Sequence, residues 1–266
     1  MDYDVIGDVH GQDGKLTALL AKLGYRVKGG AYRHPAGRIA VFVGDLIDRG
    51  PGQVEVIDTV RRMVDAGSAK VVMGNHEFNA IGYVTRGEDG EFLRPNTPRN
   101  RKQNEAFLSQ IKEGSDLHRD VIDWFKTLPL YLDLGGIRVV HAWWDDAAVK
   151  KVDGCYWDSR GRMSDEFLHG SHAKDSPLKA ARKLLTCGVE WDLPDGSVFV
   201  DKEGHPHGEA RLAVWRHWAK RLPEMALVPR NAKDAVPDIE IPTEFVIGPV
   251  EGPPILFGHH WFSGDV

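Results

Sequence analysis

The chain has 266 residues, 42% hydrophobic and 27% charged, a composition that suits an ordinary globular protein able to bury a sizeable core. A formal net charge of -5 supplies no basic field for a nucleic-acid backbone, and Cys155 and Cys187 stand in no CxxC spacing, so neither a disulfide framework nor a thiolate zinc site is indicated. No apolar run approaches the roughly 20 residues that span a bilayer, and a motif at Gly7-Asp8 leaves no room for a leader peptide, so a cytoplasmic protein without a membrane partner is expected.

Residues 3–6 read as a buried strand ending in Gly7-Asp8-Val9-His10-Gly11, after which Leu16, Leu19, Leu20 and Leu23 fall at helical spacing. A second strand, residues 38–43, ends in Gly44-Asp45-Leu46-Ile47-Asp48-Arg49-Gly50, and Val54, Ile57, Val60 and Val64 mark a second helix. The third strand, residues 69–73, ends in Gly74-Asn75-His76-Glu77. Such βαβαβ alternation predicts an α/β protein with a mostly parallel sheet whose ligands sit beyond the carboxyl ends of the strands, where these clusters lie. Residues 83–126 are polar and read as a partly helical insertion, with an apolar stretch at Val121, Ile122, Trp124 and Phe125. Residues 129–141 read as a hairpin turning at Gly135-Gly136 and delivering His141. Residues 145–242 are less periodic, with a helix near 177–185 and hairpin-like segments at 190–194 and 201–204, and read as a cap or substrate-side insertion. A last strand, residues 255–257, ends in Gly258-His259-His260; the whole, 1–266, is expected to be one domain carrying the two insertions.

Asp8, His10, Asp45, Asn75, His141 and His259 are the carboxylate, imidazole and amide donors that suit two divalent cations about 3.5–4 Å apart, with one carboxylate bridging. The expected allocation is Asp8 and His10 to the first cation, Asp45 between them, and Asn75, His141 and His259 to the second. A hydroxide held between the cations would be acidified and aimed in line at phosphorus. His76, next to a ligand, falls where a departing oxygen needs a proton, with Asp48 as the carboxylate that favours its charged form and fixes its tautomer. Arg49 offers a planar fork for two phosphate oxygens.

GDVHG, GDLIDRG and GNHE, followed by an isolated strand-end His and a late Gly-His, resemble the calcineurin-like metallophosphoesterases, specifically the phosphoprotein phosphatase branch. That branch includes Ser/Thr protein phosphatases and bacterial dinucleoside tetraphosphatase and PrpE-type enzymes. The resemblance implies a four-layer α/β sandwich, two mixed sheets flanked by helices, with further strands after the Gly-His; a chain ending at Val266 is expected to lack them. It also implies the ligand set above, His76 with Asp48 as acid and partner, Arg49 as phosphate clamp, and two divalent metal ions, manganese ahead of iron, zinc or nickel.

Several positions depart from that pattern. His259 alone is taken as a ligand from the final cluster, with His260 left out. Met73 stands where protein phosphatases often carry an arginine, and Trp143-Trp144 follow His141 where glycines are common. These indoles are expected to line a smaller pocket or stack on a base, which makes Trp143 a candidate substrate contact. Arg211, Trp215, Arg216, His217 and Trp218 invite a nucleotide-stacking reading, but aromatics packed inward with bases in water is the favoured one. His205, His207 and the charged residues 99–102 read as solvated. The expected activity is metal-dependent hydrolysis of a phosphate ester or anhydride on a small phosphorylated substrate or a phosphoprotein. The alternatives are a nucleotide-directed phosphodiesterase or dinucleoside polyphosphate hydrolase, and a non-catalytic metal-binding or interaction protein.

Overall fold

The computed structural model describes residues 1–200, 204–246, 248 and 250–260, so the hairpin turn expected at 201–204 falls largely outside the described residues. In chain order the elements begin with β1 (Tyr3–Ile6), α1 (Asp13–Lys22), β2 (Arg26–Lys28), β3 (Ala31–Arg33), β4 (Ile39–Phe42), α2 (Gln53–Asp65), β5 (Ala69–Val71) and α3 (Asn75–Val84). They continue through α4 (Pro98–Gln103), α5 (Glu105–Gln110), α6 (Asp116–Phe125), β6 (Tyr131–Asp133), β7 (Arg138–Val140), α7 (Asp146–Asp153), α8 (Asp165–Gly170) and α9 (Pro177–Cys187). The last are β8 (Glu190–Asp192), β9 (Phe199–Val200), β10 (Pro206–His207), β11 (Glu209–Leu212), α10 (Leu222–Met225), β12 (Ala226–Leu227) and β13 (Ile255–Leu256). No described helix is long and apolar enough to cross a membrane.

The chain forms two compact units, one of Met1–Thr186 with Pro254–His259 and one of Cys187–Pro253 with His260. In the first, β1, β4 and β5 make a parallel sheet in the order β1-β4-β5, with Tyr3 opposite Ile39 and Ala40 opposite Ala69. A second, mixed sheet runs β13-β7-β6, β13 parallel and β6 antiparallel to β7. Val41, Val43, Val72 and Val139 are buried together, and Tyr3, Leu132, Leu134 and Ile137 pack against them, so the core lies between the two sheets. β-branched residues suit strands covered on both faces, which is why these runs read as continuously apolar.

α2 buries Val56, Ile57, Val60 and Met63 rather than the Val54 and Val64 that spacing selected; the face is turned by a fraction of a helical turn. α6 buries Val121, Ile122, Trp124 and Phe125 as expected, starting from Ser115, whose Oγ accepts from the His118 N–H at 3.2 Å. Gly135 has φ +79°, and the Leu134 N–H reaches the Ile137 carbonyl at 2.9 Å, closing the two-residue turn that presents β7.

In the second unit β11 is flanked by β8 and β12, both antiparallel to it, and β9 pairs with β10. Here Trp215 is half-buried against His260, at 4.9 Å between rings, but Trp218 is 65% exposed, so the aromatics of 211–218 do not all turn inward. His207 is half-buried and stacks on Phe199.

Five chain segments converge beyond the strand ends of the first unit: the loops after β1, β4 and β5, and the residues after β7 and β13. Their approach leaves no space at Gly44, which has φ +97° and where a Cβ would lie 2.5 Å from the Gly74 nitrogen and 3.0 Å from His141 Nδ1. Both obstacles are rigid. Gly44→Ala is therefore expected to destabilise the chain by about 2 kcal/mol or more, read as a shift in the denaturant midpoint; an unchanged midpoint would show that the loop can move away.

Candidate active site

Asp45 follows β4 at φ +49° and is 2% exposed. Its carbonyl accepts from the Val9 and His10 N–H groups at 3.0 and 2.8 Å, which fastens the loop after β1 to the loop after β4. Its Oδ1 accepts from the His76 N–H at 3.1 Å, at the start of α3, where the helix dipole favours an anion. Around Oδ2 stand three imidazole Nε2 atoms, of His141 at 3.4 Å, His10 at 3.6 Å and His76 at 3.8 Å. Two close groups of ligand atoms thus share this carboxylate: His10, Asp45 and His76, and Asp45, His141 and His259.

Each imidazole is aimed by its other nitrogen. His10 Nδ1 lies 2.9 Å from the Ile47 carbonyl and His141 Nδ1 lies 2.6 Å from the Val43 carbonyl; an oxygen that only accepts requires N–H at both Nδ1 atoms. His141 Nε2 is also 3.2 Å from Asn75 Oδ1 and 3.1 Å from His259 Nδ1. Burial lowers the pKa of His10 despite the neighbouring Asp45, so its ring is neutral and its Nε2 lone pair faces a carboxylate. That nitrogen is buried without a hydrogen-bond partner. Two electron-rich groups facing each other across 3.6 Å fit a cation between them, and the mixed imidazole, carboxylate and amide donors suit a divalent metal.

Burial opposes charge on Asp45, yet His141 and His76 outweigh it and hold the carboxyl well below the usual range. Burial also opposes charging His141, but Asp45 overrides it and raises the imidazole to about 9. For His76, burial is outweighed by Asp45 and by the hydrogen bond to Asp48, so its pKa lies above the ordinary value. His76 Nδ1 is 2.6 Å from Asp48 Oδ2, which leaves Nε2 facing the donor groups. Asp48 and Arg49 are both left-handed, at φ +69° and +67°; Asp48 is buried and Arg49 is exposed beside it.

Asp8 lies in neither group. Its carboxylate oxygens accept from the His259 N–H at 3.0 and 3.2 Å, and Gly258 is bare because a Cβ there would sit 2.3 Å from Asp8 Oδ1. Trp143 and Trp144 are 6% and 3% exposed. Trp144 Nε1 donates to Asp146 Oδ1 at 2.7 Å, its ring meets Tyr131 edge-on, and Arg138 lies over it. The indoles are interior side chains in this structure, not platforms presented to a base.

Sequence reasoning assigned nothing to Glu77, which is 0% exposed. Its Oε1 accepts from the Leu46 and Ile47 N–H groups at 2.8 and 3.4 Å, and its Oε2 from Asp45 and Gly74 at 3.0 and 2.9 Å. The signal was present: a Glu three residues after the residue that starts a helix reaches back to that residue's N–H. Burial and the Asp45 carboxylate push Glu77 up to about 7, against donors that favour its anion.

Residues 1–178 match the family described as Calcineurin-like phosphoesterase. The chain belongs to this family. Calcineurin-like phosphoesterases use divalent metals, in keeping with the donor groups around Asp45. A relative from Geobacillus thermodenitrificans, named bis(5'-nucleosyl)-tetraphosphatase PrpE (asymmetrical), is 50% identical over 144 residues, 53% of this chain and 57% of that protein. A symmetrical bis(5'-nucleosyl)-tetraphosphatase of Aromatoleum aromaticum is 31% identical over 221 residues, 76% of this chain and 71% of that protein. These alignments with PrpE relatives span 55–57% of their length. Among solved structures, a cold-active protein-tyrosine phosphatase of a psychrophilic Shewanella aligns with TM-score 0.42 and 20% identity, over 66% of this chain and 55% of that one.

In this calcineurin-like phosphoesterase Glu77 joins the Asp45 loop to α3, and a glutamine there would turn its NH2 toward two buried N–H donors in either orientation. Glu77→Gln is expected to lower the stability of the metal-free chain by about 2–4 kcal/mol, measured by urea denaturation. A loss under about 0.5 kcal/mol, the scale of an ordinary surface substitution, would show that the clamp does not hold the loop.

Proposed function

We propose that this chain hydrolyses phosphate esters and anhydrides with two divalent cations, and that dinucleoside polyphosphates are its preferred substrate class. One observation carries the reading: two groups of atoms able to hold a metal share the buried Asp45 carboxylate, and the His76 imidazole in one of them has its other nitrogen held at 2.6 Å by Asp48. The names of the relatives in Geobacillus and Aromatoleum support the substrate class. In this assignment His10 and Asp8 serve one cation, Asn75, His141 and His259 the other, and Asp45 both. Imidazole and oxygen donors together are borderline ligands, which suits manganese, iron, zinc or nickel, with manganese the expected ion.

When bound, such a pair of cations supplies an acidified water as nucleophile and neutralises charge on the phosphoryl oxygens. The chain's own residues then have separable tasks. Asp48 holds the Nδ1 proton of His76 and so keeps Nε2 as the atom that hands a proton to the departing oxygen. The His76 backbone N–H on Asp45 Oδ1 ties that acid to the shared carboxylate. Arg49, exposed and next to Asp48, presents a fork to phosphate oxygens.

The test is a substrate panel of p-nitrophenyl phosphate, its bis-ester and diadenosine tetraphosphate, run on metal-free protein reloaded with Mn²⁺, Fe²⁺, Ni²⁺ or Zn²⁺, with bound metal counted by mass spectrometry. The wild type is expected to bind two ions and to favour the dinucleotide. Asp45→Asn is expected to lose paired metal and turnover together. His76→Ala is expected to retain both ions and lose about 100-fold or more in kcat on poor leaving groups; loss of one ion instead would make His76 a ligand. Two bound metals without turnover of any substrate would favour the non-catalytic reading, and full activity in Asp45→Asn would overturn the shared-carboxylate assignment.

A further inference from the structure

The Asp48–Arg49 turn stores strain at the point where the acid's partner is placed. Two successive non-glycine residues in the left-handed region, at φ +69° and +67°, are disfavoured by the contact of Cβ with the following carbonyl. Something must hold them there, and the side chain that does so is Gln53, the first residue of α2 and 0% exposed. Its Oε1 accepts from the Asp48 N–H at 2.7 Å and its Nε2 donates to the Gly50 carbonyl at 2.7 Å, so one carboxamide spans the turn from end to end.

Space for that carboxamide is made by the first motif. A Cβ on Gly11 would lie 2.0 Å from Gln53 Nε2, so the closing glycine of the 7–11 cluster admits it. The Gly50 and Gly52 N–H groups donate to the carbonyls of His10 and Gly11 at 2.9 and 2.8 Å, which seats the turn on the loop that carries His10.

Gln53 is itself held from an unexpected quarter. α2 has no side-chain cap at Gly52, and the Gln53 N–H is satisfied by Gln110 Oε1 at 2.9 Å while Gln110 Nε2 donates to the Pro51 carbonyl. Gln110 ends α5, inside the 83–126 segment to which no motif was assigned. A chain of hydrogen bonds therefore runs from α5 through Gln110, Gln53 and Asp48 to His76 Nδ1.

We infer that Gln53, supported by Gln110, is a positioning residue that fixes the Asp48 carboxylate on His76 and thereby orients the proton donor. The catalytic part of this inference rests on the hydrolase reading above; the placement of the Asp48–His76 pair does not. Without Gln53 the turn relaxes toward negative φ, carries the Asp48 carboxylate off Nδ1, and leaves the imidazole free to rotate. A misplacement of this kind slows proton transfer and leaves the binding of substrate and metal largely intact.

The experiment joins a double-mutant cycle to a spectroscopic readout. In the metal-free wild type, the proton shared by His76 Nδ1 and Asp48 should give a downfield ¹H NMR resonance, assigned by its loss in His76→Ala. Gln53→Ala is expected to abolish or broaden that resonance, and to lower kcat about tenfold or more with KM little changed. Added to His76→Ala, the same substitution should cost less than about twofold, because its effect passes through His76. Gln53→Glu keeps an acceptor for the Asp48 N–H and should recover part of the loss. Gln110→Ala, at an exposed helix end, tests the same dependence if Gln53→Ala folds poorly, and should show a smaller effect that also disappears in His76→Ala. If the losses from Gln53→Ala and His76→Ala simply multiply and the resonance is unmoved, the inference is overturned while hydrolase activity stands. If the wild type hydrolyses nothing yet Gln53→Ala removes the resonance, the hydrolase reading fails and the placement of Asp48 by Gln53 is upheld.

Discussion

The first unit is organised around one buried anion. Taking a carboxylate out of water is penalised by several kcal/mol unless charge or hydrogen bonds replace the lost hydration. Asp45 meets that condition by gathering partners from the whole unit: an N–H from the start of α3, and imidazoles from the loops or ends after β1, β5 and β7. Its own backbone does the same work in the opposite direction, its carbonyl holding the His10 loop and its N–H held by Glu77. The strand ends are thus brought together by the requirement that this one side chain be compensated, and the same requirement makes the place attractive to cations.

Convergence of that density exacts conformational strain. Seven described residues other than glycine have positive φ, and five of them are His10, Asp45, Asp48, Arg49 and His259. Left-handed backbone at non-glycine positions concentrates where function over-determines geometry, at roughly 1–3 kcal/mol apiece. The compensation is visible residue by residue: Glu77 gathers the N–H groups of the Asp45 turn, Gln53 spans the Asp48 turn, and Asp8 takes the His259 N–H. The bare glycines beside them follow from the same crowding. A Cβ at Gly74 would lie 2.2 Å from Asp45 Oδ1, and one at Gly50 would lie 2.4 Å from the His10 carbonyl.

What could be read in the sequence was whatever is encoded within a few residues of itself. The strands that end in clusters, the Gly135-Gly136 turn that delivers His141, and the apolar face of α6 all carry local periodicity or turn chemistry, and all are present. The nearness of His10, Asp45 and His76 was legible as well, because strand ends in a parallel sheet share one edge, whereas His141 and His259 reach the same place from the ends of β7 and β13 in the second sheet. Less legible was anything decided by a partner distant in the chain. The inward face of α2 is set by what it packs against, so spacing alone chose Val54 and Val64 over Val56 and Met63. Trp143 and Trp144 looked available for a ligand because nothing local says that Tyr131 and Arg138 cover one of them. Gln110 was invisible for the same reason, its carboxamide meeting the Gln53 N–H across 57 positions of sequence; Gln53 meets Asp48 and Gly50 close by in the chain, but neither turn chemistry nor periodicity marks a glutamine for that task.

Glu77 shows how closely the fold and the chemistry are joined. All four of its partners are backbone N–H donors, so a protonated Glu77 would direct an O–H at a group unable to accept it, and the loop 45–47 in its present form calls for the anion. Burial and the adjacent Asp45 push in the other direction, toward a neutral acid. Two neighbouring buried carboxylates can both stay ionised only if positive charge stands beside them, whether on His141 and His76 or as bound cations. The geometry of the turn that presents Asp45 therefore already depends on positive charge at Asp45, before any substrate arrives. Residues that shape the loop and residues that would hold metal belong to one electrostatic balance, and a change of charge at the site is a change in what holds the loop in place.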